Sequence, residues 1–320
     1  MINRCVLLAA VICLPVFIAA QASQAPAQPG TTETKPATTS GRPPVQAKSQ
    51  AEYQAYQSAV ANAQNALAME HAADDFAAKF PDSELRVLLY RTAMHSYQTA
   101  GNSQKMMEMG LKVLAIDKDD PEALIGVAEV QEEHTSPSDL DRDERMTQAI
   151  SSAQHALETI DTDLAVPAGT PPERVEAYKK YLRSTTLAII GTIQYKREQY
   201  ADAEANLRKA IETDAANPDA VVILRLALAL DQEKKYPEAL QQANRAVELT
   251  QEDNDIGKMA RNERDRLMIQ TGKGNPPGGS NPPGNAPGAA PGGSQSPAQT
   301  APTSTTPSAN APPNPTPPSH

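Results

Sequence analysis

A chain of 320 residues with 39% hydrophobic and 4% aromatic residues, and no tryptophan, must build its core mainly from Ala, Leu, Ile, Val and Met. Such side chains suit close helix packing better than a large β-sandwich. Residues 48–272 hold 25 Lys and Arg against 38 Asp and Glu, a formal charge of −13, and this argues against phosphate backbones and anionic membrane surfaces as partners, since both need clustered cations.

Residues 1–22 read as a signal peptide. Arg4 supplies the basic start, Cys5 to Ala20 is an apolar run, and Ala20-Gln21-Ala22 offers a small-x-small cleavage pattern. The run is shorter than the roughly 20 residues that span a bilayer and contains Pro15, which favours cleavage over an uncleaved signal anchor. Ile12 is a poor residue to precede a lipid-modified Cys13. Both cysteines, Cys5 and Cys13, fall inside this segment, so an exported, periplasmic or secreted product would have no disulfide and no thiol chemistry. Residues 23–47, rich in Ala, Gln, Pro, Thr and Ser without an apolar period, read as a disordered linker.

Helical periodicity runs from residue 48 to 271. A first pair is expected over Ser49–Ala68 and Met69–Phe80, ended by Pro81, because a residue before proline disfavours the helical conformation. A second spans Asp82 to Asp117, with Gly101-Asn102 as its turn and Met106, Met107 and Met109 as core filler. A third opens at Pro121 and closes near Leu157, with its turn enlarged by His134 to Arg142. Asp161 to Thr170 is a second interruption. Pro171-Pro172 then starts a long helix to Arg197, since proline's missing N–H costs nothing in a first turn. A last amphipathic helix, Asn254 to Ile269, is the expected C-terminal cap. Residues 272–320 hold 14 of the 28 prolines and no acidic residue, a composition that cannot bury enough apolar area to order itself and predicts a disordered tail.

One pattern is written twice. Leu187, Ile190, Gly191, Tyr200, Ala203, Leu207, Ala210 and Ile211 recur 36 residues later as Ile223, Leu226, Ala227, Tyr236, Ala239, Ala243, Ala246 and Val247. Small residues flanked by large apolar ones mark a stacking unit that cannot bury its own face alone. With Tyr195, Thr213-Asp214 and Asn217-Pro218, the first copy resembles the tetratricopeptide repeat (TPR). The resemblance implies an all-α, right-handed superhelical solenoid of antiparallel helix pairs, whose concave face, lined by first helices, binds protein segments without catalysis or cofactor. Repeat lengths here are irregular, with no run of three uninterrupted good copies. A terminal-carboxylate clamp needs Lys and Asn where this chain has Arg91 and His95, Ile125 and Glu129, Ala188 and Thr192, and Leu224 and Leu228, so that clamp is absent.

In this register Arg91, His95, Gln98, Glu129, Glu132, Thr192, Tyr195, Arg225 and Leu228 fall at groove positions and are the candidate partner-binding residues. Asp139, Asp141 and Asp143 have the alternate spacing of a calcium loop. Glu144 and Ile150, however, replace its Gly and bidentate Glu, leaving a solvated loop with an aspartate capping the next helix. His71, His95 and His155 lie at non-ligand spacings, and no catalytic set, metal site or cofactor motif is found. The expectation is a non-enzymatic envelope scaffold with a protein or peptide partner, no nucleic acid, and self-association possible. The alternative is a structural envelope protein whose Pro-rich tail contacts cell-wall polymer while the repeats self-associate.

Overall fold

The computed structural model describes residues 45–167, 169–250 and 254–273. The segments expected to be a signal peptide (1–22) and a tail (beyond Lys273), and most of the expected linker, lie outside the described residues. Among the described residues there are eleven α-helices and no strand: α1 Gln50–Val60, α2 Ala66–Lys79, α3 Leu85–Thr99, α4 Ser103–Leu114, α5 Pro121–Glu133, α6 Arg142–Thr159, α7 Pro172–Lys196, α8 Tyr200–Thr213, α9 Ala220–Gln232, α10 Tyr236–Glu248 and α11 Asp255–Gln270. None is long and apolar enough to cross a membrane.

Helix starts follow from side chains that can accept the free N–H groups of a first turn. Ser49, Asn65, Asn102, Asp120, Asp219 and Asn254 each cap a helix through the side chain, and Pro121 and Pro172 stand in first turns. The break in the first pair falls at 61–65 rather than between Ala68 and Met69, because Asn65 Oδ1 accepts the Ala68 N–H at 3.0 Å and starts a new helix there. An unbroken Ala-rich run conceals that asparagine.

Helices pack as consecutive pairs, α1 with α2 through α9 with α10, and α11 covers α10 and α9. First helices also touch in series, α1, α3, α5, α7, α9 and α11, so they form one continuous layer with the second helices behind it. This is an array of stacked antiparallel helix pairs, as the repeat pattern implies.

The doubled pattern is reproduced position by position. In all eight pairs both members share a burial class: positions 187/223, 190/226, 191/227, 203/239, 207/243 and 210/246 are buried, and 200/236 and 211/247 are half-buried. A Cβ on Gly191 would lie 2.8 Å from Leu207 Cγ and 3.2 Å from the Ala203 carbonyl, so α7 and α8 cross at a distance that excludes a methyl group. In the second copy the corresponding positions are Ala227 and Ala243. The methyl gained on one helix is offset by the smaller side chain on the other.

Three first helices end in the same left-handed turn. Gly101 has φ +70°, Glu198 +62° and Lys234 +62°, and each turn N–H bonds back three residues, to Gln98, Tyr195 and Asp231. Gly272, φ +69°, closes α11 the same way on Ile269, so the capping helix ends as a first helix does.

Polar contacts tie neighbouring pairs together. Tyr97 donates to Glu70, which also receives Lys105 Nζ at 3.0 Å; Lys112 Nζ reaches Asp74 at 2.6 Å. Met106 and Met109 are buried and Met107 packs beside them, as core filler should. The interruption after α6 docks against α7: Leu164 is buried and Asp161 receives Lys179 and Arg183 at 3.2 and 2.5 Å.

Gly191→Ala is expected to destabilise by about 1–3 kcal/mol, and Leu207→Ala by about 2–5 kcal/mol. The double variant should cost less than their sum, as read from denaturant midpoints. Glu198→Gly and Lys234→Gly should each stabilise by about 1 kcal/mol, because only glycine adopts the left-handed region without penalty. Burial raises the Glu70 carboxyl, but the Tyr97 hydroxyl and the Lys105 ammonium outweigh it and hold the pKa below its ordinary value. The stabilisation is therefore fully present above the unfolded carboxyl pKa of about 4.3 and lost as pH falls through the depressed folded value. Thermal melts of Glu70→Gln should accordingly fall less steeply on acidification than those of the parent chain.

Candidate partner-binding face and its cleft

The first-helix layer brings charged and aromatic groups together at two places. Toward the N-terminal side, Arg91 on α3 donates through Nε to Asp120 at 3.0 Å and through Nη2 to the same carboxylate, and lies 3.0 Å from Glu122 on α5. Tyr178 on α7 donates to Glu122. Asp120 is fully buried and also caps α5 through the Ala123 N–H, so one side chain fixes a helix start and a neighbour's cation. Burial pushes the Asp120 carboxyl up. Burial acts the same way on Glu122, but the Arg91 and His95 charges and the Tyr178 hydroxyl hold it below its ordinary value. Tyr178 is raised well above a normal phenol by burial and by Glu122. Its ring stacks on Tyr181 at 6.2 Å, and Tyr181 is exposed.

The second place, at the ends of first helices rather than along their face, is a cleft of about 280 Å³ lined by Tyr195 and Lys196 at the end of α7, Gln232 at the end of α9, Thr135, Pro137 and Glu198 in turns, and Arg142, Met146 and Tyr200 on second helices. The enlarged turn between α5 and α6 forms one wall. Lys196 Nζ binds Glu132 Oε1 at 2.8 Å and the Glu132 carbonyl at 2.5 Å, while Arg142 donates to the Lys196 carbonyl. Tyr195 and Tyr200 meet edge to face at 5.6 Å.

Of the nine residues expected on the face, all lie on first helices: Arg91, His95 and Gln98 on α3, Glu129 and Glu132 on α5, Thr192 and Tyr195 on α7, Arg225 and Leu228 on α9. Arg91, Glu132 and Thr192 are buried and bonded within the protein, Thr192 donating to the Ala188 carbonyl at 2.7 Å. These three hold the layer together rather than present a surface. His95, Gln98, Glu129, Tyr195, Arg225 and Leu228 are half-buried. Sequence reasoning missed Asp120, Glu122 and Tyr178. The Asp120-Pro121 helix start was a signal for the first, but no spacing rule links Arg91 to a tyrosine 87 positions on.

The aspartates of the α5–α6 turn are held by arginine. Arg145 pairs with Asp139 and lies 3.4 Å from Asp141, and Arg142 lies 3.2 Å from Asp143. Asp141 stands at the start of α6 but, against the expected aspartate cap, makes no side-chain capping bond: its backbone, at φ −97° and ψ 13°, is not in the extended conformation typical of a capping residue.

No protein-family model matches the chain, and no curated protein does. Among solved structures, it is similar to a tetratricopeptide repeat protein from Parabacteroides merdae, at 15% identity over 69% of this chain and 75% of that one, with a TM-score of 0.47. A second likeness is to the APC/C hetero-tetramer Cut9–Hcn1, at 18% identity over 68% of this chain and 39% of that one, TM-score 0.43. A third is to a thermophilic TPR protein of Thermus thermophilus, at 16% identity over 66% and 98%, TM-score 0.41. The fold assignment rests on the helix order and stacking in this chain rather than on those scores.

Asp120→Ala removes both a helix cap and the partner of a buried guanidinium, and should cost about 3–5 kcal/mol. Tyr178→Phe, which removes one hydrogen bond, should cost about 1–3 kcal/mol. Chemical denaturation of the two variants checks the order.

Proposed function

We propose that the chain is a non-enzymatic protein-interaction scaffold of the cell envelope, receiving an extended segment or helix of another protein on its first-helix layer. The observation that supports this reading is that layer: six first helices in unbroken series, carrying half-buried polar and aromatic side chains on a rigid support. Groups set on such a surface contact a partner without the entropic cost of ordering a loop. Export rests on the basic, apolar and small-x-small pattern of residues 1–22.

The test is site-specific photocrosslinking in the native cell. Photoreactive side chains at positions 95, 129 and 225 on first helices should capture the same partner. Positions 205 and 244, exposed on α8 and α10, should not. Identical products from all five positions would overturn the assignment of the face. For export, N-terminal sequencing of the envelope fraction should begin at Ser23.

A further inference from the structure

A pair of tyrosines stands at the end of α7 where the repeat does not call for one. The left-handed turns at Gly101, Glu198 and Lys234 align residue for residue. At the same two flanking positions the first turn carries Gln98 and Ser103, the second Tyr195 and Tyr200, and the third Asp231 and Tyr236. All three turns close with the same backbone bond, so the fold accepts any of these pairs. At Glu198 alone of the three do two rings meet, edge to face at 5.6 Å. There the enlarged turn between α5 and α6 adds Thr135 and Pro137, and the rings become part of the cleft of about 280 Å³.

The cleft presents apolar surface and hydrogen-bond donors. Pro137 and Met146 join the two rings as its apolar part. The Tyr195 and Tyr200 hydroxyls and the Gln232 amide make no side-chain hydrogen bond among the described residues. The tyrosines are half-buried and Gln232 is exposed, so these groups stand at the surface rather than in the core. Arg142 Nε, buried, has no acceptor. The charges of the lining are paired or solvated: Lys196 is held by Glu132 at 2.8 Å, Arg142 lies 3.2 Å from Asp143, and Glu198 is exposed. Glu132 Oε2, Asp231 Oδ1 and Glu233 Oε1 are buried without a donor, but none of these residues lines the cleft. A matching ligand is therefore neutral, carries apolar rings and offers carbonyl acceptors with few donors of its own. Proline-rich chain has that chemistry, since proline lacks an N–H and the polyproline II helix leaves its carbonyls without internal hydrogen bonds. Such segments dock on aromatic-lined grooves.

We propose that this cleft receives a proline-rich segment of the bound partner protein in the polyproline II conformation. Its proline rings lie against Tyr195 and Tyr200, and its carbonyls accept from the two tyrosine hydroxyls and the Gln232 amide. The segment is already extended before it binds, so little chain entropy is lost on docking. The assignment rests on the scaffold reading and names the chemistry of one segment that the scaffold holds, at the ends of α7 and α9 beside the first-helix face.

The test uses the full chain and two fluorescein-labelled peptides of equal length, one of repeated Ala-Pro-Pro and one of repeated Ala-Gly-Ser, followed by anisotropy. The proline peptide is expected to bind about tenfold more tightly. Tyr200→Ala should lower its affinity by about tenfold, and Tyr195→Phe and Gln232→Ala, each removing one donor, by about threefold. Tyr181→Ala removes an exposed tyrosine of the same helix, about 20 Å along α7 from Tyr195, and should alter affinity less than about twofold. Equal weakening by Tyr181→Ala and Tyr200→Ala would show general adhesion to tyrosine and overturn the site, as would a proline peptide that binds no better than its control. If Tyr200→Ala unfolds in thermal melts, the other two variants decide, since Tyr195→Phe keeps the ring and Gln232 is exposed. Weakening by either then supports the site, and unchanged affinity in both overturns it. A native partner still crosslinked at positions 95, 129 and 225 while the proline peptide shows no preference overturns this cleft and leaves the scaffold reading standing. Loss of crosslinking at those positions would instead remove the scaffold reading itself.

Discussion

Close approach of helices at small residues is the constraint on which the array depends. With few aromatic side chains available, burial has to come from many modest contacts, and these accumulate only if helix backbones come near enough for Leu, Ile and Met to interlock. Ala93, Ala153, Ala203, Ala210, Ala239 and Ala246 are fully buried, and Gly191 marks a crossing where even one methyl group is too much. The two repeat copies solve the same crossing with different volumes, Gly against Leu in one and Ala against Ala in the other. The conserved quantity between them is the space shared by two helices rather than the identity of either residue.

Ion pairs on buried carboxylates add a second tie, specific where apolar packing is not. Arg91 fixes α3 to the start of α5, Lys196 fixes α7 to the end of α5, and Arg266 fixes α11 to α9. Replacing a pair buried on both sides, as Arg91 and Asp120 are, with apolar residues often stabilises a protein, so its presence here says more about register than about net stability. Each also brings charge to the first-helix layer.

Much of the candidate site was legible as position and little as chemistry. Repeat register places all nine expected residues on first helices. It does not distinguish Arg91, which is buried, from Arg225, which is half-buried, because that difference depends on Asp120 and Glu122 arriving from the next pair. Asp231 was overlooked for a related reason. Its partner Arg266 lies on α11, which reads in sequence only as a cap.

Sequence alone determined the helical class, the phase of the repeat and the small-residue crossings, since periodicity and side-chain size are local quantities fixed before the chain folds. It also located the enlarged turn between α5 and α6, though as an insertion without a role. Tertiary structure decided that this turn walls a cleft, that three of the expected surface residues are buried, and which carboxylate oxygens lack donors. These properties belong to pairs and triples of side chains from different helices. Exposure and hydrogen-bond satisfaction are set by how neighbouring pairs stack, and a residue's own sequence context does not contain its neighbour in the next pair.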